Sequence, residues 1–221
     1  MPKRAAAKPT DETTRQRVLR ASLELFAAKG FNGTGIRDLA HAAGLTTSTL
    51  YHYMANKDDL LVEIMTGAIA PLNAAAERIL AEIEEPAAAF CTIVEHHVWL
   101  HATERLACIV TDTEVRALSG EQRDRMLTLR DGYEGRWRQA VTAGVEAGCL
   151  RAEMPGLAAR ALLQMATGVS HWFSPSGSLP LGQLCRLYSD GALGFLRARK
   201  ADGTPLTRAD LELPAPDRYL R

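Results

Sequence analysis

Between two apolar, helix-like runs stands GLTTSTLYHY, residues 44–53, in which four consecutive hydroxyl side chains precede two tyrosines flanking a histidine. Hydroxyls both donate and accept, so Thr46, Thr47, Ser48 and Thr49 suit phosphate oxygens or base edges, and threonine methyls pack on thymine. Tyr51 and Tyr53 carry phenols on stems long enough to reach phosphates, with His52 between them. Taken singly, each of these residues also reads as a solvated surface or helix-cap residue. Their concentration in one short segment is what points to nucleic acid. A second cluster, EHHVWLH, puts His97 and His101 one helical turn apart, with His96, Glu95 and Glu104 near. That spacing can hold a metal on one helix face. Two histidines lack a firm third ligand, so the reading is no metal site, and a metal-responsive protein stands as the alternative. No nucleophile, base and orienting group share a local motif, and no glycine loop is built to cradle phosphate, which argues against an enzyme.

The elements that must carry these residues are helices. The 221-residue chain is rich in alanine, leucine and arginine and nearly without β-branched runs, so the fold class expected is all-α. From Thr13, Val18, Ala21, Leu25 and Phe26 recur at helical spacing, and Gly30 closes that helix. A second short helix, opened by Thr34 as N-cap, turns Ile36, Leu39, Ala40 and Ala43 inward. Gly44 supplies a turn, Leu45 plugs the space behind it, and a third helix runs from Thr46 or Thr47 through Tyr53, anchored by Leu50. This is a helix-turn-helix, whose second element enters the major groove. Arg37, on the outer face of the second helix, and Thr34 and Lys57, at helix starts with free N–H groups, complete the candidate DNA contacts. Further helices are expected from Lys57 towards Glu85, where Pro86 breaks the run, and near 87–102, 104–117, 120–147, 156–173 and 181–198.

Net charge is zero, yet residues 1–57 carry nine Lys or Arg against four acids, so a basic N-terminal module sits on an acidic body. Residues 1–10, with Lys3, Arg4 and Lys8, read as a mobile basic arm. Cys91, Cys108, Cys149 and Cys185 form no CxxC pair and follow no secretory signal, which fits reduced thiols in a cytoplasmic protein; oxidant sensing through them is a further alternative. No apolar run approaches the roughly 20 residues a bilayer requires, so no membrane partner is expected.

These residues amount to a resemblance. TGIRDLAHAAGLTTSTLYHYMANKDDLL, led in by FAAKGFNGT, resembles the N-terminal DNA-binding domain of TetR-family transcriptional repressors over roughly residues 13–62. The resemblance implies that the third helix is the recognition helix and that Thr34, Arg37, Thr47, Ser48, Tyr51, His52 and Lys57 fall where DNA is met. Ser48 stands where many members carry glycine, and Met54 where phenylalanine is usual. The resemblance further implies domains at 11–57 for DNA and 58–200 for ligand binding and dimerisation; residues 201–221, rich in proline and charge, read as a tail ordered only by docking. RDGYEGRWRQAVTAGVEAGCLR followed by ALLQMATGVSHWFSPSGSLP is similar to the acyl-CoA-responsive repressors of fatty-acid or steroid breakdown, so a small-molecule effector, with acyl-CoA the candidate, is expected and no cofactor.

A ligand pocket among helices is lined mostly by apolar and aromatic groups, which nominates Trp99, Ile109, Leu127, Tyr133, Trp137, Met165, Val169 and Trp172, although each also reads as plain core. Arginines 123, 125, 130, 136 and 138 on one helix are candidates for CoA phosphates, or a solvated face. Leu162, Ala166 and Phe173, then Leu184, Leu187, Tyr188 and Phe195, are placed on the last two helices, which would form a four-helix interface in a homodimer. One short helix reads only a few base pairs, so two half-sites of a near-palindromic operator must be bound together.

Overall fold

The computed structural model describes residues 12–220; the expected basic arm at 1–10 lies outside the described residues. α1 (Thr14–Lys29) opens with a capping box between Thr13 and Gln16 and stops at Gly30, whose φ of 74° is open at little cost only to glycine. α2 (Ile36–Ala42) starts one residue later than expected: the N-cap is Gly35, whose N–H donates to the Asp38 carboxylate at 3.1 Å. Gly44, at φ 68°, reverses the chain, and the Leu45 N–H returns to the Ala40 carbonyl at 2.8 Å. α3 (Thr47–Leu50) is a single turn capped by Thr46, shorter than the helix through Tyr53 that the sequence suggests. Residues 51–53 continue it as a turn closed by the bonds His52 N to Thr49 O (3.1 Å) and Tyr53 N to Leu50 O (2.9 Å).

α4 (Lys57–Glu82) is capped by Asn56, with Asp58 and Asp59 in its first turn, where the helix dipole favours acids. It carries Pro71 in its interior and so lacks one backbone donor there. The body continues through α5 (Pro86–Thr103), α6 (Arg105–Thr113) with a 3-10 turn over Glu114–Ala117, α7 (Gly120–Glu146), α8 (Pro155–Thr167), α9 (Val169–Trp172) and α10 (Leu181–Phe195). The expected helix over 156–173 is thus two, parted at Gly168. α10 packs along α5, α8 along α7, and α4 against α7 and α6. Phe90, Ile93, Met126, Trp137 and Leu162 fill the space between them. By length and composition α4 is apolar enough to cross a membrane, contrary to the sequence expectation, but half of that window is buried in the fold. In α4 that apolar content serves a central helix packed on several sides.

The tail docks on the body. Arg208, at the start of a 3-10 turn over Arg208–Asp210, donates through Nε to the buried Glu95 carboxylate, which also accepts from Ser189 Oγ at 3.1 Å. The Pro216 carbonyl accepts from His96 Nδ1 at 2.7 Å, and Tyr219, buried, lies against Arg78 and bonds the Glu82 carboxylate at 3.2 Å. Removing one partner of a buried ion pair leaves an uncompensated charge, costing about 3–5 kcal/mol. Arg208→Ala should therefore lower unfolding stability by about that amount in urea titrations, and adding Glu95→Gln should recover a large part of it.

Candidate functional site

The helix-turn-helix presents its polar residues unequally. Leu50 and Met54 are buried against the module's core, so Met54 occupies an interior seat. The Thr46 hydroxyl accepts from the Thr49 N–H at 3.2 Å and lies 2.8 Å from Thr49 Oγ1, so both side chains are engaged in capping. Ser48 Oγ is 3.0 Å from Thr46 Oγ1, yet remains exposed. Thr47, Tyr51, His52 and Arg37 are exposed, while Tyr53 is half-buried, with its carbonyl accepting from Arg15 at 2.7 Å.

Two nominated contacts turn inward. Thr34 is 1% exposed, and its hydroxyl donates to the Gly30 carbonyl at 2.9 Å, so its side chain ties the α1–α2 turn and is not on the surface. Lys57 donates to the carbonyls of Phe31 (2.7 Å) and Thr34 (3.0 Å), with its ammonium 4.0 Å from the Phe31 ring centroid. Those carbonyls belong to the turn between α1 and α2, and a lysine at the start of α4 supplies them with a donor. The exposed set is therefore Arg37, Thr46, Thr47, Ser48, Tyr51 and His52, of which Thr46 is engaged in capping α3.

In the body, five helices enclose a cavity of about 60 Å³. Ala68, Ile69 and Leu72 of α4, His97 and His101 of α5, Cys108, Thr111 and Asp112 of α6, Arg130 and Tyr133 of α7, and Leu163, Gln164 and Thr167 of α8 line it. His97 bonds Tyr133 OH through Nδ1 (3.0 Å) and Thr167 Oγ1 through Nε2 (3.2 Å), and its ring stacks on His101 with centroids 3.7 Å apart. His101 Nδ1 lies 3.0 Å from the His97 carbonyl, which can only accept; Nδ1 thus carries the hydrogen, and Nε2 is an acceptor. Burial lowers the pKa of His97 well below its ordinary value and that of His101 to about 4, so both rings are neutral at pH 7. Arg130 donates to the Thr111 carbonyl at 2.8 Å and stands 3.9 Å from Asp112 Oδ1, leaving Asp112 Oδ2 buried with no hydrogen-bond partner. Burial raises Asp112 to about 6, opposed by Arg130.

Of the nominated pocket residues, Tyr133 lines this cavity. Trp137 and Val169 are core, Trp99, Ile109 and Leu127 lie partly buried outside the lining, and Met165 and Trp172 are 48% and 54% exposed. The face of α8 towards the cavity is that of Leu163, Gln164 and Thr167, and Met165 projects from another side of the same turns. The signal that finds the lining is polar: histidine, threonine and aspartate set within apolar helices. The interface candidates divide similarly. Leu162, Ala166 and Leu184 are buried within the subunit, where α8 and α10 meet α7 and α5, and Phe173 is buried at the end of α9, while Leu187 and Phe195 are exposed and Tyr188 is half-buried. Among the described residues no group of three or more His, Cys, Asp or Glu is arranged to hold a metal; both nitrogens of His97 face hydroxyls instead. Burial pushes the thiols of Cys91 and Cys108 up, and Cys185 up to about 12, so these cysteines are protonated and poor nucleophiles.

A helix-turn-helix with an exposed polar face, carried on a helical body whose cavity has polar groups set in a largely apolar wall, is the architecture of a ligand-responsive DNA-binding regulator. Residues 18–64 match the family model of the bacterial regulatory proteins of the tetR family, and residues 84–196 match that of the tetracyclin repressor-like C-terminal domain. The chain belongs to the TetR family, and it is a DNA-binding transcriptional repressor of that type with a ligand-binding body. It is 26% identical over 187 residues to the HTH-type transcriptional repressor KstR2 of Rhodococcus jostii, covering 81% of this chain and 92% of that one. Its fold is similar to that of the TetR-family regulator PfmR of Thermus thermophilus, with a TM-score of 0.73, 33% identity and coverage of 83% and 99%. AibR, in complex with isovaleryl coenzyme A and operator DNA, is similar with a TM-score of 0.71, 25% identity and coverage of 83% and 98%.

A histidine whose folded pKa is depressed contributes stability that is complete above its unfolded value near 6.5 and is lost as pH falls towards the folded value. For His101 that window is about pH 6.5 to about 4, and the loss amounts to about 3 kcal/mol. Asp112, raised to about 6, acts oppositely in the lower part of that window. The difference in urea unfolding free energy between the protein and His101→Gln should isolate the histidine, narrowing by about that amount between pH 7 and pH 4.

Proposed function

We propose that the repressor acts as a homodimer on a near-palindromic operator in the cytoplasm and is released when a small molecule, an acyl-CoA, enters the cavity between α4 and α8. The observation that carries this reading is that the cavity wall and the supports of the DNA module are the same helices. α4 contributes Ala68, Ile69 and Leu72 to the lining and, about 17 Å away along its axis, holds the module through Lys57. α6 contributes Cys108, Thr111 and Asp112 and packs on α1, and a Cβ on Gly30 would sit 3.4 Å from Glu114 just beyond it. A ligand that favours one arrangement of α4 and α6 also selects one spacing of two recognition helices, which is a population shift between operator-competent and released states.

Support for the acyl-CoA class comes from AibR, whose solved complex holds isovaleryl coenzyme A together with operator DNA. The homodimer is supported by the large apolar side chains left exposed on the last helices of the body: Leu157 and Met165 on α8, Trp172 on α9, and Leu187 and Phe195 on α10. Catalysis has no role in this reading.

Thr47→Ala combined with Tyr51→Ala should abolish specific operator binding in fluorescence anisotropy, and the salt slope of the residual binding should fall by about 0.9 for each phosphate contact removed. Operator affinity equal to that of the unmodified protein would sink the assignment of α3. Leu187→Asp with Phe195→Asp should convert the protein to a monomer in analytical ultracentrifugation, with helical circular dichroism retained because both side chains are exposed.

A further inference from the structure

The cavity's unspent hydrogen-bonding capacity has a definite sense. Asp112 Oδ2 is buried without a partner, and His101 Nε2 is an acceptor by the geometry of its other nitrogen. An apolar ligand end would leave the buried Asp112 oxygen unpaired, which is costly away from water. A cationic end would meet Arg130 3.9 Å from the same carboxylate, and a carboxylate end would meet Asp112 itself. With the histidines neutral and Arg130 offset by Asp112, the lining favours an end without net charge. Arg130 spends one nitrogen on the Thr111 carbonyl and keeps other guanidinium N–H groups for an acceptor. A hydroxyl is the uncharged group that donates and accepts at one atom. The cavity of about 60 Å³ compares with about 10–15 Å³ for one water, which gives room for about four to six non-hydrogen atoms as it stands.

We propose that the effector presents to this cavity a short, uncharged acyl end bearing a hydroxyl, which donates to Asp112 Oδ2 and accepts from Arg130. This rests on the reading of the cavity as the effector site and narrows it: Asp112 is the residue that separates a hydroxylated acyl group from its plain counterpart.

The test is isothermal calorimetry of matched probes, butanoyl-CoA against 3-hydroxybutanoyl-CoA in each enantiomer, on the full chain and on Asp112→Ala and Asp112→Asn, with butanamide and 3-hydroxybutanamide as CoA-free counterparts in millimolar thermal-shift assays. A hydrogen bond to a charged group should make one hydroxylated enantiomer bind about ten- to a hundredfold more tightly than the plain acyl probe. That preference should fall towards parity in both variants, with circular dichroism confirming their folds; the asparagine variant, near in shape to the original, covers the case in which the alanine one misfolds. Equal binding of the two thioesters, or a preference that survives both substitutions, overturns the hydroxyl inference and leaves the acyl-CoA reading intact. A preference kept by the amide pair while neither thioester binds supports the hydroxyl inference and removes the acyl-CoA reading. Failure of every probe to bind overturns both.

Discussion

A helix of one turn cannot hold itself, because fixing the first turn costs several residues' freedom for a single hydrogen bond. α3 is such a helix, and the DNA-reading surface depends on what surrounds it. Leu50 is fully buried beneath it, Thr46 caps it, and Gly44 in the left-handed region sets its entry. Lys57 then bonds two carbonyls of the preceding loop, so the start of α4 is fastened to the module that α3 completes.

The same fastening gives the body its hold on the module. α4 passes without a break from that bond into the cavity wall, although Pro71 removes one of its backbone donors. α6, which also lines the cavity, packs directly on α1. Two supports that share a cavity wall can be biased together by one ligand, because packed helices exchange between discrete arrangements more readily than they deform.

Polar groups in an apolar bundle are costly unless they are paired, and this chain places them in two layers on α5. Glu95 and His96 meet Arg208 and the Pro216 carbonyl of the tail, whereas His97 and His101 meet Tyr133, Thr167 and each other at the cavity. The tail pairs are complete at Glu95, which is why the last twenty residues belong to the body's packing. The cavity layer keeps one carboxylate oxygen without a protein partner, as the tail layer does His96 Nε2, but only the former faces a cavity.

What the sequence by itself determined is local. The period of Val18, Ala21 and Phe26, the Thr13 and Thr46 caps, the Gly30 and Gly44 turns and the hydroxyl run of residues 46–49 all act within a few residues, so the helix-turn-helix and most helix limits are legible there. Shorter α3 and the parting at Gly168 show the margin of such reading. The aromatic candidates for a pocket largely became core or surface, because burial of Trp137 and exposure of Trp172 depend on which neighbour each helix face meets. Thr34 and Lys57 stand along the chain where DNA contacts are expected, and carbonyls at Gly30 and Phe31 draw them inward. Only the tertiary structure decided these cases, as it decided the union of His97 with Tyr133 and Thr167 and of Glu95 with Arg208. Each joins residues 36 or more apart in the chain, and the angular register that brings them together is set by helix packing, which no local pattern records.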